Sequence, residues 1–259
     1  MLFHEIAGPA PGSDGPVALA ISQPSHAWIS GQLLRAWADP VSPAVLLAAE
    51  QHDVGWLDWE TEPSFDPETG RPHLFRAIGA RVHAPMWARG VERALGAWGS
   101  RVALLVSRHG GLIYTRYTDR HRVAPEDAAA ADWFLETQRP MQAAWACALG
   151  LDAAEVDRDA ALVAASDTLS LALCGELRTP VEVPAPDASG TMRTLHLAAA
   201  DDTATRFTLS PWPFVGGSLE VCCEARPIPA PGRFADEDAM RHWLRSPERA
   251  VFRVKLTPG

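Results

Sequence analysis

Residues 42–56 read SPAVLLAAEQHDVGW, and this stretch decides the reading of the chain. Ser42 is a helix cap and Pro43 fits the first helical position, so the apolar run that follows is read as a helix continuing to about Asp53. Gly55 then breaks it. The helix therefore ends on two adjacent metal-capable side chains, His52 and Asp53. Adjacent positions diverge by about 100° on a helix, close enough for both to reach one cavity.

Four more residues of the same chemical type lie outward from this pair. In chain order the set is His26, His52, Asp53, His83, His109 and Asp167, the pattern H…HD…H…H…D. Each sits in or at the edge of a stretch with helical periodicity. Ligands on several helices can converge on one point, and a mixed imidazole and carboxylate set suits Fe, Mn, Zn or Ni. The competing reading is a set of unrelated polar residues at helix ends.

Helices are expected at 26–38 with Ser25 as cap, at 42–53, at about 84–97, at 101–109 stopped by Gly110 and Gly111, at 125–149 and at 157–173. Residues 56–72 read as a long loop with turn signals at Asp66-Pro67 and Thr69-Gly70. From Arg178 the texture changes to proline-rich linking sequence. Short β-like runs follow at 192–198, 205–209, 218–226 and 250–256, with a small helix at about 236–244. The expected division is a 1–24 segment containing a candidate edge strand, a 25–176 helical metal-binding domain and a 177–259 β-rich appendage. The fold class is mainly α, a helical bundle with a small β-rich C-terminal appendage.

Composition narrows the function. With 47% hydrophobic residues the 259-residue chain can bury a sizeable core. A net charge of −9 argues against general nucleic-acid binding. Lys255 is the only lysine, so any side-chain grip on an anion falls to arginine. Cys147, Cys174, Cys222 and Cys223 form no C-x-x-C pair, and a cytoplasmic setting fits them best. No membrane span or secretion signal is legible. The expected partner is a small-molecule substrate, with a homodimer left open. No G-x-S-x-G elbow, P-loop or dinucleotide fingerprint is present.

Taken in order, SHAWISGQLL (25–34), LLAAEQHDVGW (46–56), RVHAPMWARGVERAL (81–95), LLVSRHGG (104–111) and VAASDTLSLAL (163–173) resemble the ligand-bearing segments of the HD-domain superfamily of metal-dependent phosphohydrolases. In detail the chain looks closest to an uncharacterised bacterial family of HD-like proteins, in which the HD-G-W segment and a P-x-x-D-P-x-T-G-x-P loop recur. Here the loop residues are Pro63, Phe65, Asp66, Pro67, Thr69, Gly70 and Pro72.

The resemblance implies that His26, His52, Asp53 and Asp167 bind one divalent ion and that His83 and His109 bind a second, with Asp53 bridging. His73 and His121 compete for the place of His83. Iron or manganese is the expected metal, with zinc or nickel as alternatives. Many members carry a lysine in HD-x-G-K, where this chain has Trp56.

The expected activity is therefore two-metal hydrolysis of a small phosphate ester or nucleotide. Alternatives are a di-iron oxygenase or a non-catalytic sensor. Catalytic candidates are Asp53, Asp58 as a proton-transfer acid and Arg108 as an electrophilic helper. For Asp58 the competing reading, a solvated loop acid, is the favoured one. Substrate-binding candidates are Trp56, Arg71, Arg76, Arg116, Arg120 and His121, the alternative being a solvated basic face.

Overall fold

The computed structural model describes residues 1–6, 16–117 and 122–259. Two N-terminal strands, β1 (Leu2–Glu5) and β2 (Pro16–Ile21), lead into helix α1 (Gln23–Arg35). The cap of α1 is Ser22, whose hydroxyl accepts from Ser25 N, and Pro24 sits in the first turn. The helix therefore begins three residues before the expected start. Helix α2 (Pro43–Gln51) is capped by Ser42 as the sequence predicts. His52 and Asp53 follow as the chain leaves α2, ahead of a 3-10 turn at Val54–Trp56.

The expected long loop contains a short helix, α3 (Leu57–Thr61), and a small hairpin, β3 (Phe65–Asp66) with β4 (Arg71–Pro72). Then come α4 (Ala80–Trp98), α5 (Ser100–Leu112), α6 (Pro125–Leu149) and α7 (Ala153–Leu173). Helix α5 runs through Gly110 and Gly111 into a π-helical turn, Ile113–Tyr117. Gly110 is not a stop signal here. A Cβ at Gly110 would lie 2.5 Å from the Trp87 ring and 2.9 Å from Phe134, so a glycine is needed for close packing.

The C-terminal third adds β5 (Val181–Pro186), β6 (Met192–Ala199), β7 (Arg206–Ser210), β8 (Leu219–Pro229), helix α8 (Glu237–Arg245) and β9 (Ala250–Pro258). Strand order in the resulting seven-stranded sheet is β1-β2-β8-β9-β7-β6-β5. Neighbours are antiparallel except β7 and β9, which run parallel with Arg206 opposite Lys255.

This sheet overturns the expected fold class. The chain is 51% helix and 22% strand with a curled seven-stranded sheet, not a mainly α bundle carrying a small β appendage. The physical reason is the core. Ile29 and Leu33 of α1 and Leu169 and Leu173 of α7 are fully buried in one cluster with Leu197, Leu209, Val221, Val254 and Leu256 of the sheet. Strand residues alternate, so one face of each strand enters this shared core. A second cluster, with Met1, Ala18, Ala20, Ile228, Phe234 and Met240, packs beneath α8.

Among the described residues no helix is long and apolar enough to cross a membrane. All four cysteines are free thiols.

Candidate metal centre

Helix α1 crosses α2 where Gly31 meets the buried Glu50; a Cβ at Gly31 would stand 2.0 Å from Glu50 Cγ. Glu50 pairs with Arg35 across the same contact. The turn after α2 is held from its other side by α4. A Cβ on Gly90 would lie 2.9 Å from Gly55 Cα, and one on Gly55 would lie 2.5 Å from Met86 O. These two glycine contacts set His52 and Asp53 against α1, α5 and α7.

Five of the six predicted ligands come together. His26 from α1, His52 and Asp53 from the end of α2, and His109 from α5 are buried. Asp167 of α7 is the exception, with a side chain 14% exposed, and marks the side on which the cluster meets solvent. His26 Nε2 lies 2.7 Å from Asp53 Oδ2. His52 Nε2 lies 3.2 Å from Asp167 Oδ1 and 3.6 Å from Asp53 Oδ2, while His109 Nε2 lies 3.6 Å from Asp167 Oδ2. Donor atoms of His26, His52 and Asp53 all fall within 4.8 Å of one another, as do those of His52, His109 and Asp167. His52 belongs to both groups. Asp167 turns one oxygen toward His52 and the other toward His109.

Second contacts orient these rings. His52 Nδ1 donates to Ala49 O at 2.8 Å, which aims Nε2 into the cluster. Ser170 holds His26: its Oγ lies 2.8 Å from His26 Nδ1, accepts from Ser30 at 3.0 Å and donates to Asp167 O at 2.9 Å. With the single hydroxyl hydrogen of Ser170 used on Asp167 O, His26 Nδ1 must be the donor to Ser170. His26 Nε2 and Asp53 Oδ2 then face each other with lone pairs unless a cation, either a proton or a metal ion, lies between them. Trp87 stacks on His109 with ring centroids 5.5 Å apart.

The electrostatics match a cation site. Burial alone would discharge His52, but Asp53 and Asp167 outweigh it and raise its pKa to about 9. Burial, reinforced by the neighbouring His52, lowers the His109 pKa to about 4, so that ring is neutral at pH 7. Asp167 is held well below the usual carboxylate range, because the hydrogen bond and charge of His52 overcome its burial. Among the described residues His109 Nδ1 is buried with no hydrogen-bond partner, and the buried His52 Nε2 has only its close approach to Asp167 Oδ1 at 3.2 Å. A ring nitrogen buried without a partner is costly.

His83 lies outside both groups. Its Nδ1 is 2.5 Å from the hydroxyl of Tyr114, with which it stacks at 5.4 Å, and Trp56 lies 6.1 Å away. Burial lowers its pKa to about 4. His73, the alternative, contacts Ser64 O at 3.2 Å.

The candidate catalytic and substrate residues scatter. Asp58 is exposed and makes two contacts, at 2.7 and 3.0 Å, with Arg93. Arg108 is directed to Asp157 on α7 rather than into the cluster. Arg71 pairs with Glu5 at 2.5 Å and Arg76 with Glu176 at 2.7 Å. Arg116 is exposed. Trp56 is buried against Trp59 and Phe75. Arg120 and His121 lie outside the described residues.

Sequence reasoning missed Ser30, Ser166, Ser170, Trp87 and Tyr114. A signal for two of them was present. Ser166 and Ser170 flank Asp167 in the second half of α7, residues 160–173, where Thr168 is the only other polar residue, and polar residues on a buried helical face point to a site.

Fold and site together define an α/β protein with a buried histidine–aspartate cluster under one curled sheet. The chain belongs to the family described as a protein of unknown function, DUF3891, whose model matches residues 14–230. That assignment and the sheet correct the likeness to the HD-domain superfamily: the shared H…HD…H…H…D order is carried by a different architecture. No curated protein and no solved structure matches the chain significantly.

Proposed function

We propose that the protein is a metal-dependent hydrolase acting on a small phosphate ester, with His26, His52, Asp53, His109 and Asp167 as the metal-holding residues. The observation that carries this reading is the convergence of five donor side chains from four chain segments into two groups that share His52. Three imidazoles and two carboxylates suit a first-row divalent ion. A bound ion supplies Lewis acidity at the scissile ester.

The protein's own groups supply the rest. Ala49 and Ser170 fix the rings of His52 and His26, so the donors are pre-oriented and little rearrangement accompanies binding. Asp167, on the solvent side, is held as a carboxylate and is placed to hold the ion where a substrate would enter. Trp87, buried and stacked on His109, excludes water behind that ring. His83 of α4 and Tyr114 of the turn after α5 form a hydrogen-bonded pair in which His83, neutral at pH 7, can accept a proton.

One observation favours a second reading, oxidation of a small substrate at an iron-loaded site. Arg71, Arg76 and Arg108 are each paired with a carboxylate, and none of them contacts the five donors.

The deciding experiment loads metal-free protein with manganese, zinc or iron and measures phosphate release from a panel of phosphate monoesters. In parallel, dioxygen consumption is followed on the iron form. Phosphate release that EDTA and Asp53→Asn both abolish supports hydrolysis. Substrate-dependent dioxygen uptake without phosphate release transfers the assignment to oxidation, and silence in both assays contradicts an enzymatic role.

A further inference from the structure

A cavity of about 250 Å³ opens where the chain passes from β2 into α1, away from the five donors in chemistry though next to them in sequence. Its polar wall is formed by Ser22, Ser25, Glu224, Arg226 and Arg249. The β2–β8 register sets Ala20 opposite Arg226, which places that guanidinium over the entrance to α1.

The two arginines stand near each other with their positive charges unscreened by a paired carboxylate. Among the described residues neither forms an ion pair with a carboxylate; Arg249 donates only to the carbonyls of Ser246 and Glu248, at 2.8 and 2.7 Å. Arg226 is half-buried, and its Nε is buried without a partner. Burial and the nearby Arg249 work against its charge, and Glu60, close enough to act on it but not ion-paired with it, works in its favour. Ser25 Oγ accepts from Ser22 Oγ at 2.8 Å, and its own hydrogen has no acceptor among the described residues.

The positive end of the α1 dipole faces the same space. First-turn amides are already engaged, Gln23 N by Glu60 and Ser25 N by Ser22, so the donors here are side chains. Of the charged residues that line the cavity, Glu224 opposes two arginines, a surplus of one positive charge in the wall itself.

We propose that this cavity binds a phosphate group, either the free ion or the phosphate of a small phosphorylated molecule. A doubly charged tetrahedral oxyanion answers two convergent guanidiniums and a free hydroxyl donor at once. The volume lies below the roughly 300–1,000 Å³ of ordinary ligand pockets, which leaves room for the phosphate and few further atoms. None of the five metal-holding residues lines this cavity.

The test is calorimetric titration of the full chain, kept metal-free with a chelator, with inorganic phosphate and separately with glycerol phosphate. Saturable binding of at least one is expected. Arg226→Met should weaken it about tenfold or more, Arg249→Met should weaken it in the same direction, Glu224→Gln should tighten it, and His52→Ala should leave it unchanged. Tighter binding of inorganic phosphate identifies the free ion as the ligand; tighter binding of glycerol phosphate identifies an ester. Failure of both probes to bind, wild-type affinity in both arginine variants, or an equal loss in His52→Ala overturns the proposal.

Discussion

Adding one methyl group at Gly90 tests how the metal centre is held, because α4 contains a built-in control. Gly90 and Gly96 lie in the same helix, and replacing a helical glycine by alanine favours the helix by about 0.5–1 kcal/mol at either position. Their surroundings differ. A Cβ at Gly96 meets nothing within 4 Å, whereas one at Gly90 would lie 2.9 Å from both Cα and N of Gly55. The obstruction is backbone, which cannot swing aside as a flexible side chain does. Overpacking of this kind costs about 1–3 kcal/mol.

The propensity gain is shared, so the difference between the variants is the overpacking cost alone. Gly96→Ala should be stabilised by up to about 1 kcal/mol, and Gly90→Ala should fall about 1–3 kcal/mol below it. Urea denaturation of the two variants beside the wild type measures both. Because Gly55 is two residues from Asp53, Gly90→Ala should also weaken metal binding while Gly96→Ala does not. Equal stability and equal metal binding in the two variants would refute the view that the Gly55–Gly90 contact positions the ligand turn.

Ser170→Ala removes the partner of His26 Nδ1, and loss of such a supporting contact should lower metal affinity by about 10–100-fold with an unchanged circular dichroism spectrum; wild-type affinity in a chelator competition contradicts it. The His83 pKa is lowered from 6.5 to about 4 by burial, so the unfolded chain takes up the proton first, and its contribution is complete above pH 6.5 and lost as pH falls toward 4. Between those limits wild-type stability should therefore fall by up to about 3 kcal/mol more than that of His83→Gln, and parallel pH profiles of urea midpoints would contradict the assignment. Asp159 is a 2% exposed residue that Arg101 and Arg158 contact at 2.8 and 3.1 Å, so Asp159→Asn should cost about 2 kcal/mol, and a thermal midpoint equal to that of the wild type argues against this.

How much of this was legible in sequence depended on whether the signal was local. Ser42-Pro43 marks the start of α2 because cap and first-turn proline act within a few residues, and Pro125 and Leu149 bound α6 for similar reasons. The ligand residues were recognisable as a chemical type in a definite order. Their convergence depends on contacts between helices far apart in sequence, and the sequence alone left His83 in the set although the structure pairs it with Tyr114.

The sheet was hidden by range and by proline. β2 is hydrogen-bonded to β8, about two hundred positions later, and no local pattern reports such a pairing. Val181–Pro186 reads as linking sequence because of its prolines, yet it pairs with Met192–Leu197 as the sheet edge, the place where strand proline is tolerated. Gly110 was misleading in the opposite sense: the residue type that ends helices is required here by the ring of Trp87.

The central claim is that His26, His52, Asp53, His109 and Asp167 hold a metal ion. Its most direct test is elemental analysis of purified protein, reloaded with iron, manganese or zinc and desalted, for wild type beside His52→Ala and the nearly isosteric Asp167→Asn. The account predicts at least one ion per wild-type chain and loss of that ion in both variants while their circular dichroism spectra match the wild type. A wild-type protein that retains no ion, or folded variants that retain as much as the wild type, would contradict it.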